Sequence, residues 1–397
     1  MKKSILNNLT TKLDALHREG LSRTRMVTET PCSPHLIVEG LPMLAFNSND
    51  YLGFAAHPEI VHALREGASL YGAGSGASHL ISGHSQAHAR LEEKLADLQS
   101  PFLERARALY FCTGYMANLG IMHALADSAH DDITVFSESL NHASLIDGIR
   151  LSRSSLRLYP HCDTQALSDL LKRCTSKTKV VVTDSVFSMD GDIAPIADLL
   201  KLCEQYEAWL VIDDAHGFGT LGSTGRGILE HLGLYSPNII YMGTLGKAAG
   251  VSGAFVAANE TFIEWMIQRS RPYIFTTAAP PALAYALQTS IQLITGAEGQ
   301  ARRKHLQELI ERFSTSLIPQ GWHRLSSNTA IQPLIIGTNE DVLRASAALK
   351  NQGIWISAIR APTVPAGTAR LRITLSAAHT HQDVSQLINL LSNGSIA

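Results

Sequence analysis

Lys247 stands in Thr244-Leu245-Gly246-Lys247-Ala248-Ala249-Gly250, with small residues on both sides. The segment follows the apolar run Ile239–Met242, which reads as a buried strand. A lysine there is either a solvent-facing loop residue or a desolvated amine. Desolvation disfavours the ammonium and lowers its pKa, as a Schiff-base lysine needs. Gly243 and Gly246 are separated by two residues, and no Ser or Thr follows the lysine. The segment is therefore not a Walker A phosphate loop.

The run Leu210–Ile212 ends at Asp213-Asp214-Ala215-His216-Gly217. An acid at a buried strand end is costly unless it is paired. A pyridinium N–H is one suitable partner, and the acid would keep such a ring protonated as an electron sink. A helix N-cap is the other reading; it explains one of the two acids but not His216. His142, in Ser139-Leu140-Asn141-His142-Ala143-Ser144, follows another strand end. It either stacks on a flat ring or is structural. Gly114 and Tyr115 open a predicted helix. The first N–H groups of that helix can hold a phosphate, or the glycine is simply a turn. Arg370 and Arg372 flank Leu371, and period-two alternation puts both on one strand face. That face is either solvated or built for a carboxylate.

Two further patterns are set aside. Gly72-Ala73-Gly74-Ser75-Gly76 lacks the third spacing of G-x-G-x-x-G and follows a predicted helix, so it is a close-approach loop and not a dinucleotide fingerprint. His84 and His88 are four apart, but Ser85 and Gln86 replace the glutamate of a metalloprotease helix, and no metal is expected.

The positioning elements follow from the apolar runs. Ala108–Cys112, Ile133–Phe136, Lys179–Thr183, Trp209–Asp213, Ile239–Met242 and Ala254–Ala257 alternate with helix-like stretches between about 55 and 285. Short apolar runs spaced by helices predict an α/β fold with a mostly parallel sheet covered on both faces. Ligands of such sheets bind outside the carboxyl ends of the strands, where the polar residues above collect. Residues 1–54 read as a helix followed by short strands, 55–285 as a large domain, and 286–397 as a small α+β domain. In the last part, strands are expected at Ala330–Ile336, Gly353–Ala358 and Ala369–Ser376, and a closing helix at Gln382–Leu391.

Composition narrows the function. The 397 residues are 45% hydrophobic and 17% charged, with 33 Lys plus Arg against 35 Asp plus Glu. A net charge of −2 carries no electrostatic footprint for nucleic acid or an anionic membrane. Apolar runs are too short to span a bilayer, and the N-terminus lacks the apolar stretch of a signal peptide. Five scattered cysteines without C-x-x-C spacing fit a reducing, cytoplasmic setting.

Taken in order, these segments resemble the α-oxoamine synthases, a family of fold-type I enzymes dependent on pyridoxal phosphate. The resemblance covers essentially the whole chain. It is carried by Phe46–Gly53, Gly74-Ser75-Gly76, Ser82-Gly83, Leu140–Ser144, Val186–Asp192, Asp213–Gly217, Thr244–Lys247 and the tail from Ile359 to His379. Ile331–Ile335 and Arg360–Arg372 are most similar to the branch that condenses L-alanine with a pimeloyl thioester, carried on an acyl-carrier protein (pimeloyl-ACP) or on coenzyme A (pimeloyl-CoA). A branch joining glycine to acetyl-CoA is the other reading, against which stand Asp213–His216 and Ala361–Ala366. A silent binding protein would have no need of Lys247, Asp213, His142 and His216 together.

The resemblance implies a large domain with a seven-stranded, mostly parallel sheet and a small C-terminal domain. It implies that Lys247 carries the cofactor and then acts as general base, that Asp213 pairs with the pyridine nitrogen, and that His216 contacts the ring hydroxyl. His142 stacks on the ring beside the substrate and assists decarboxylation. Ser188 and Thr244 contact the cofactor, and Gly114 and Tyr115 help hold its phosphate. Arg23 and Thr363 match substrate-contacting positions, with Arg25 an alternative to Arg23, and Arg372 matches the partner of the amino-acid carboxylate. A homodimer is implied, with Tyr273–Thr277 reaching the partner's phosphate site. No nucleic acid or membrane partner is expected.

Overall fold

A computed structural model describes residues 4–129, 132–319 and 321–392. The chain begins with the helix Ile5–Arg18, capped by Ser4, whose Oγ accepts from the Asn7 N–H at 3.2 Å. His17 and Arg18 complement the carbonyl end. Strands β1 (His35–Val38) and β2 (Leu41–Ala45) follow as an antiparallel hairpin. Its two turn residues, Glu39 and Gly40, have φ of 48° and 77°, the left-handed pair that matches strand twist.

The chain divides into two compact units. The larger holds residues 50–188 and 192–305. Its seven strands are β3 (Ala106–Phe111), β4 (Ile133–Glu138), β5 (Ser155–Tyr159), β6 (Thr178–Asp184), β7 (Ala208–Asp213), β8 (Ile239–Thr244) and β9 (Ala254–Asn259). Their order is β3-β9-β8-β7-β6-β4-β5. The pairs from β5 to β8 are parallel, and β9 runs antiparallel to both β8 and β3. Every residue of β4 and β8 is buried, as expected of strands covered on both faces. The helix Gly114–Ser128 supplies Ala117, Ile121, Met122 and Leu125 to the core beside Val135, Val180, Val211 and Val256. All six apolar runs form strands. The seventh strand, β5, was not anticipated: it is an edge strand, exposed at four of its five residues, and Ser155-Leu156-Arg157-Leu158-Tyr159 alternates apolar with polar side chains instead of forming the continuous apolar run of a buried strand.

The smaller unit combines the segment up to Asn49, Met189–Gly191 and the segment from Leu306. Here β12 (Ile354–Trp355) pairs parallel with β2. The strands β10 (His323–Arg324), β11 (Ile331–Gly337), β13 (Ser357–Ile359) and β14 (Ala369–Thr374) form an antiparallel sheet ordered β10-β11-β14-β13. The expected Gly353–Ala358 strand is two short ones, β12 and β13, in different sheets. The closing helix is His381–Ser392. Among the described residues no helix is long and apolar enough to cross a membrane.

In the larger unit the histidines near Gly83 make hydrogen bonds and ring contacts with one another and with the fold. His88 caps the helix Gln86–Gln99: its Nδ1 accepts from the Ser85 N–H at 3.0 Å, which leaves Nε2–H to donate to the Ala279 carbonyl at 2.9 Å. His79 lies 3.0 Å from His84 through their Nδ1 atoms and stacks on Tyr273. Burial, with His88 and His84 nearby, pushes the His79 pKa down to about 3. Below pH ~6.5 the unfolded chain takes up a proton that native His79 refuses, so this group's contribution falls as pH drops. The unfolding midpoint of His79→Gln should therefore fall less than that of the wild type between pH 7 and 5. Parallel slopes in thermal scans would contradict this.

Candidate active site

The polar residues cluster where the larger sheet's strands end. One cavity of about 190 Å³ is lined by Gly114, Tyr115, His142, Ser188, Asp213, His216, Thr244 and Lys247. All eight residues expected to bind the cofactor therefore meet in one place. Asn118, Ser144, Asp184, Ala215 and Met242 complete the lining.

Asp213 is the last residue of β7 and is 4% exposed. Its Oδ2 accepts from Asn118 Nδ2 at 2.7 Å, and its Oδ1 from the Ala215 N–H at 3.0 Å. Two neutral donors leave lone-pair capacity on a buried carboxylate, the capacity a cationic N–H would fill. Its neighbour Asp214 points the other way, as strand alternation dictates. Asp214 accepts from Tyr241 Oη at 2.7 Å and the Ile228 N–H at 2.8 Å, and burial pushes its pKa up to about 7 despite these bonds. The Asp-Asp pair thus separates into one acid for the cavity and one for the core.

Lys247 lies three residues beyond β8. The small residues beside it have a packing reason: Ala248 and Ala249 are 1% and 0% exposed. Gly250, at φ +70°, has no room for a side chain, since a Cβ there would meet the Phe54 carbonyl carbon at 2.5 Å. Lys247 Nζ is 2.9 Å from His216 Nε2, and His216 Nδ1 is 2.5 Å from Tyr51 Oη. With Nζ donating to Nε2, the Nδ1–H donates to Tyr51. The amine is half-buried and held, which argues against a freely solvated loop lysine.

His142 precedes the helix Ala143–Ser152, and its Nδ1 lies 2.7 Å from Ser144 Oγ. Its backbone N–H donates to Asp184 Oδ2 at 2.9 Å. The protein around it pushes the His142 pKa down against the pull of Asp213, and Lys247 adds to the lowering. The imidazole is thus neutral at pH 7, the form that stacks without repelling a cationic neighbour. Asp184, at the end of β6, is driven well above the carboxylate range by burial and by Asp213. Thr113 caps the Gly114–Ser128 helix, its Oγ1 accepting from the Met116 N–H at 3.2 Å, and Gly114 and Tyr115 in the first turn, where helix N–H groups have no partner within the helix, line the cavity.

A phosphorylated pyridine fits this donor set. A buried acid matches the ring nitrogen, an amine the aldehyde carbon, and a helix start the phosphate. Asn118 Oδ1, on a cavity-lining residue, is buried without a hydrogen-bond partner. Residue-level reading overlooked Asn118, Asp184 and Tyr51. The rule that found Asp213, an acid at the end of a buried strand, applies equally to Asp184. Asn118 stands one turn beyond Gly114 on the same helix face.

Of the expected substrate contacts, His142 lies in the larger unit and lines its cavity, whereas Arg23, Thr363 and Arg372 belong to the smaller unit. Arg23 and Thr363 line one cavity of about 340 Å³, joined there by Arg360, which residue reading did not single out. Arg25 is not part of that lining. Arg370 and Arg372 are 3% and 6% exposed, so the solvated-face reading of β14 is overturned. Arg370 is paired internally with Asp190, its Nη1 lying 2.5 Å from Oδ1. Arg372 donates to Asn49 Oδ1 at 3.2 Å and to Thr374 Oγ1 at 2.9 Å.

The chain resembles known proteins in sequence and fold. Residues 42–391 match the family model of class I and II aminotransferases. An 8-amino-7-oxononanoate synthase of Janthinobacterium sp. (strain Marseille) is 62% identical over 98% of both chains. One of Bordetella petrii is 58% identical over 98% of this chain and 97% of its own. Among solved structures, a serine palmitoyltransferase variant from S. paucimobilis with bound pyridoxal phosphate and myriocin has a TM-score of 0.90, at 27% identity over 98% of both chains. An 8-amino-7-oxononanoate synthase from Francisella tularensis has a TM-score of 0.73, at 30% identity over 88% of this chain and 97% of its own. A phosphate-ready helix start, a buried acid and a held lysine at the strand ends, with this degree of likeness, place the chain in the class I and II aminotransferase family, among its 8-amino-7-oxononanoate synthases.

Proposed function

We propose that this chain condenses L-alanine with a pimeloyl thioester to give 8-amino-7-oxononanoate, carbon dioxide and the free thiol carrier, a step of biotin synthesis. The observation that carries the reading is the convergence of Lys247, Asp213, His142 and His216 on one cavity with the Gly114–Tyr115 helix start. Pyridoxal phosphate, when bound, supplies an electron sink that makes the α-proton of alanine acidic. Asp213 holds a proton on the pyridine nitrogen. Lys247 Nζ takes the α-proton and later returns one. His216 and Tyr51 orient that amine. His142 walls one face of the ring and assists loss of carbon dioxide. The helix start, Ser188 and Thr244 supply donors to the phosphate and ring substituents. Arg372 receives the carboxylate of alanine, and Arg23 and Thr363 contact the acyl substrate. The acyl carrier is an acyl-carrier protein or coenzyme A.

The working unit is a homodimer in the cytoplasm. Unpartnered apolar surface supports the dimer. The helix Ile5–Arg18 buries none of its residues, Ile5 being 81% and Leu6 73% exposed. In the larger unit Ile81 is 81% and Phe275 70% exposed.

Arg372→Lys keeps the charge but loses the guanidinium fork. It should raise the KM for L-alanine about tenfold or more while changing kcat less. An unchanged KM would remove Arg372 from carboxylate binding. The function itself is tested by complementation. A bacterial strain lacking its own 8-amino-7-oxononanoate synthase should grow without biotin when it expresses this chain. Growth only with added biotin, despite soluble expression, would contradict the proposal.

A further inference from the structure

Outside the cavity, Glu138, His161 and Asp192 form a chain that the mechanism does not use. Glu138 ends β4 and is 2% exposed, so its charge needs partners. Its Oε2 accepts from the Leu140 N–H at 2.5 Å and its Oε1 from Ser139 Oγ at 3.3 Å, folding the turn that ends at His142. Its Oε1 also lies 3.0 Å from His161 Nδ1. His161 Nε2 in turn lies 2.9 Å from Asp192 Oδ2. Asp192 closes the turn that carries Ser188: its carbonyl accepts from the Phe187 N–H at 3.0 Å, and Val186 bridges Ile193. The Phe187 ring packs edge-on to His161 at 4.5 Å. An imidazole that faces a carboxylate at each nitrogen donates at both, so it is the imidazolium. Hydrogen bonds to Asp192, Cys162 and Glu138 push its pKa up to about 12.

We propose that His161 is a positioning residue of the reaction: one ring N–H on Glu138 and the other on Asp192 tie the turn presenting His142 to the turn presenting Ser188. Both of those residues line the cavity, so the link sets two of its walls. The inference rests on the reading that the cavity holds pyridoxal phosphate.

The test uses the full chain loaded with pyridoxal phosphate, with His161→Gln and His161→Arg. Glutamine cannot bridge two carboxylates as a cation, whereas a guanidinium fork can. The wild type is measured first. If it binds no cofactor, the functional reading fails, and this inference with it. If it binds, His161→Gln should keep the wild-type far-ultraviolet circular dichroism. Its cofactor Kd should rise about tenfold, its visible circular dichroism from the bound ring should change, and kcat should fall with the KM for alanine little altered. His161→Arg should recover most of each. Wild-type Kd, visible dichroism and kcat in His161→Gln would overturn the role, as would an arginine variant no better than the glutamine one. Should His161→Gln not fold, Asp192→Asn is read in the same way. An unchanged visible dichroism there overturns the link.

Discussion

Lys247→Ala should lose the yellow colour of the loaded protein and at least about 10⁴-fold of its turnover. Colour and activity fall together because one amine serves both. In the proposed mechanism Nζ is both the nucleophile that would hold the cofactor and the base that would move the α-proton of alanine. The substitution should leave the fold intact. The loop is held by the Leu245 N–H on the Gly253 carbonyl at 2.8 Å and the Gly250 N–H on the Lys247 carbonyl at 2.9 Å, neither of which uses the side chain. Absorption spectra and thiol release of the two proteins, matched for unfolding midpoint, check this. An alanine variant that stayed yellow and turned over would remove Lys247 from the centre of the account.

Asp213→Asn should leave the cofactor bound and slow α-proton exchange of L-alanine by about 10²- to 10³-fold, the usual cost of losing one preorganised electrostatic partner. The shape is nearly unchanged, but the charge is gone. An amide cannot hold a proton on a ring nitrogen as a carboxylate does, so the electron sink is weakened. Asparagine also has only one acceptor oxygen for two donors, Asn118 Nδ2 at 2.7 Å and the Ala215 N–H at 3.0 Å. One of them must be left unsatisfied or turn away. The measurement is loss of the alanine α-proton signal in deuterated water by NMR. Exchange at the wild-type rate would show that the buried acid at the end of β7 does not act on the ring.

Much of this site was legible because strand ends are legible. Fully buried parallel strands are near-continuous apolar runs, and the residues after them fall at one sheet edge. That logic brought Asp213, His216, Thr244 and Lys247 to one place before any coordinates. It failed for β5, whose edge position leaves Ser155–Leu158 exposed, so that polar residues interrupt the leucines and no continuous apolar run marks the strand. Contacts that depend on tertiary packing were also out of reach. Nothing in the spacing says that Tyr51 meets His216 across 165 residues, or that Asn118 braces Asp213 across 95. Arg370 and Arg372 share an alternation, yet only the packed sheet separates the arginine paired with Asp190 from the one held by Asn49 and Thr374. The grouping of the first 49 residues with the C-terminal unit is likewise a tertiary fact, since β12 adds to the edge of β2.

The central claim is tested most directly by incubating the loaded chain with two substrate pairs and reading thiol release and product mass. The pairs are L-alanine with a pimeloyl thioester, and glycine with acetyl-CoA. Rapid thiol release from the first pair alone, with the mass of 8-amino-7-oxononanoate in the product, is the predicted result. Release from glycine and acetyl-CoA alone would contradict the assigned substrates while leaving the cavity chemistry of Lys247 and Asp213 in place.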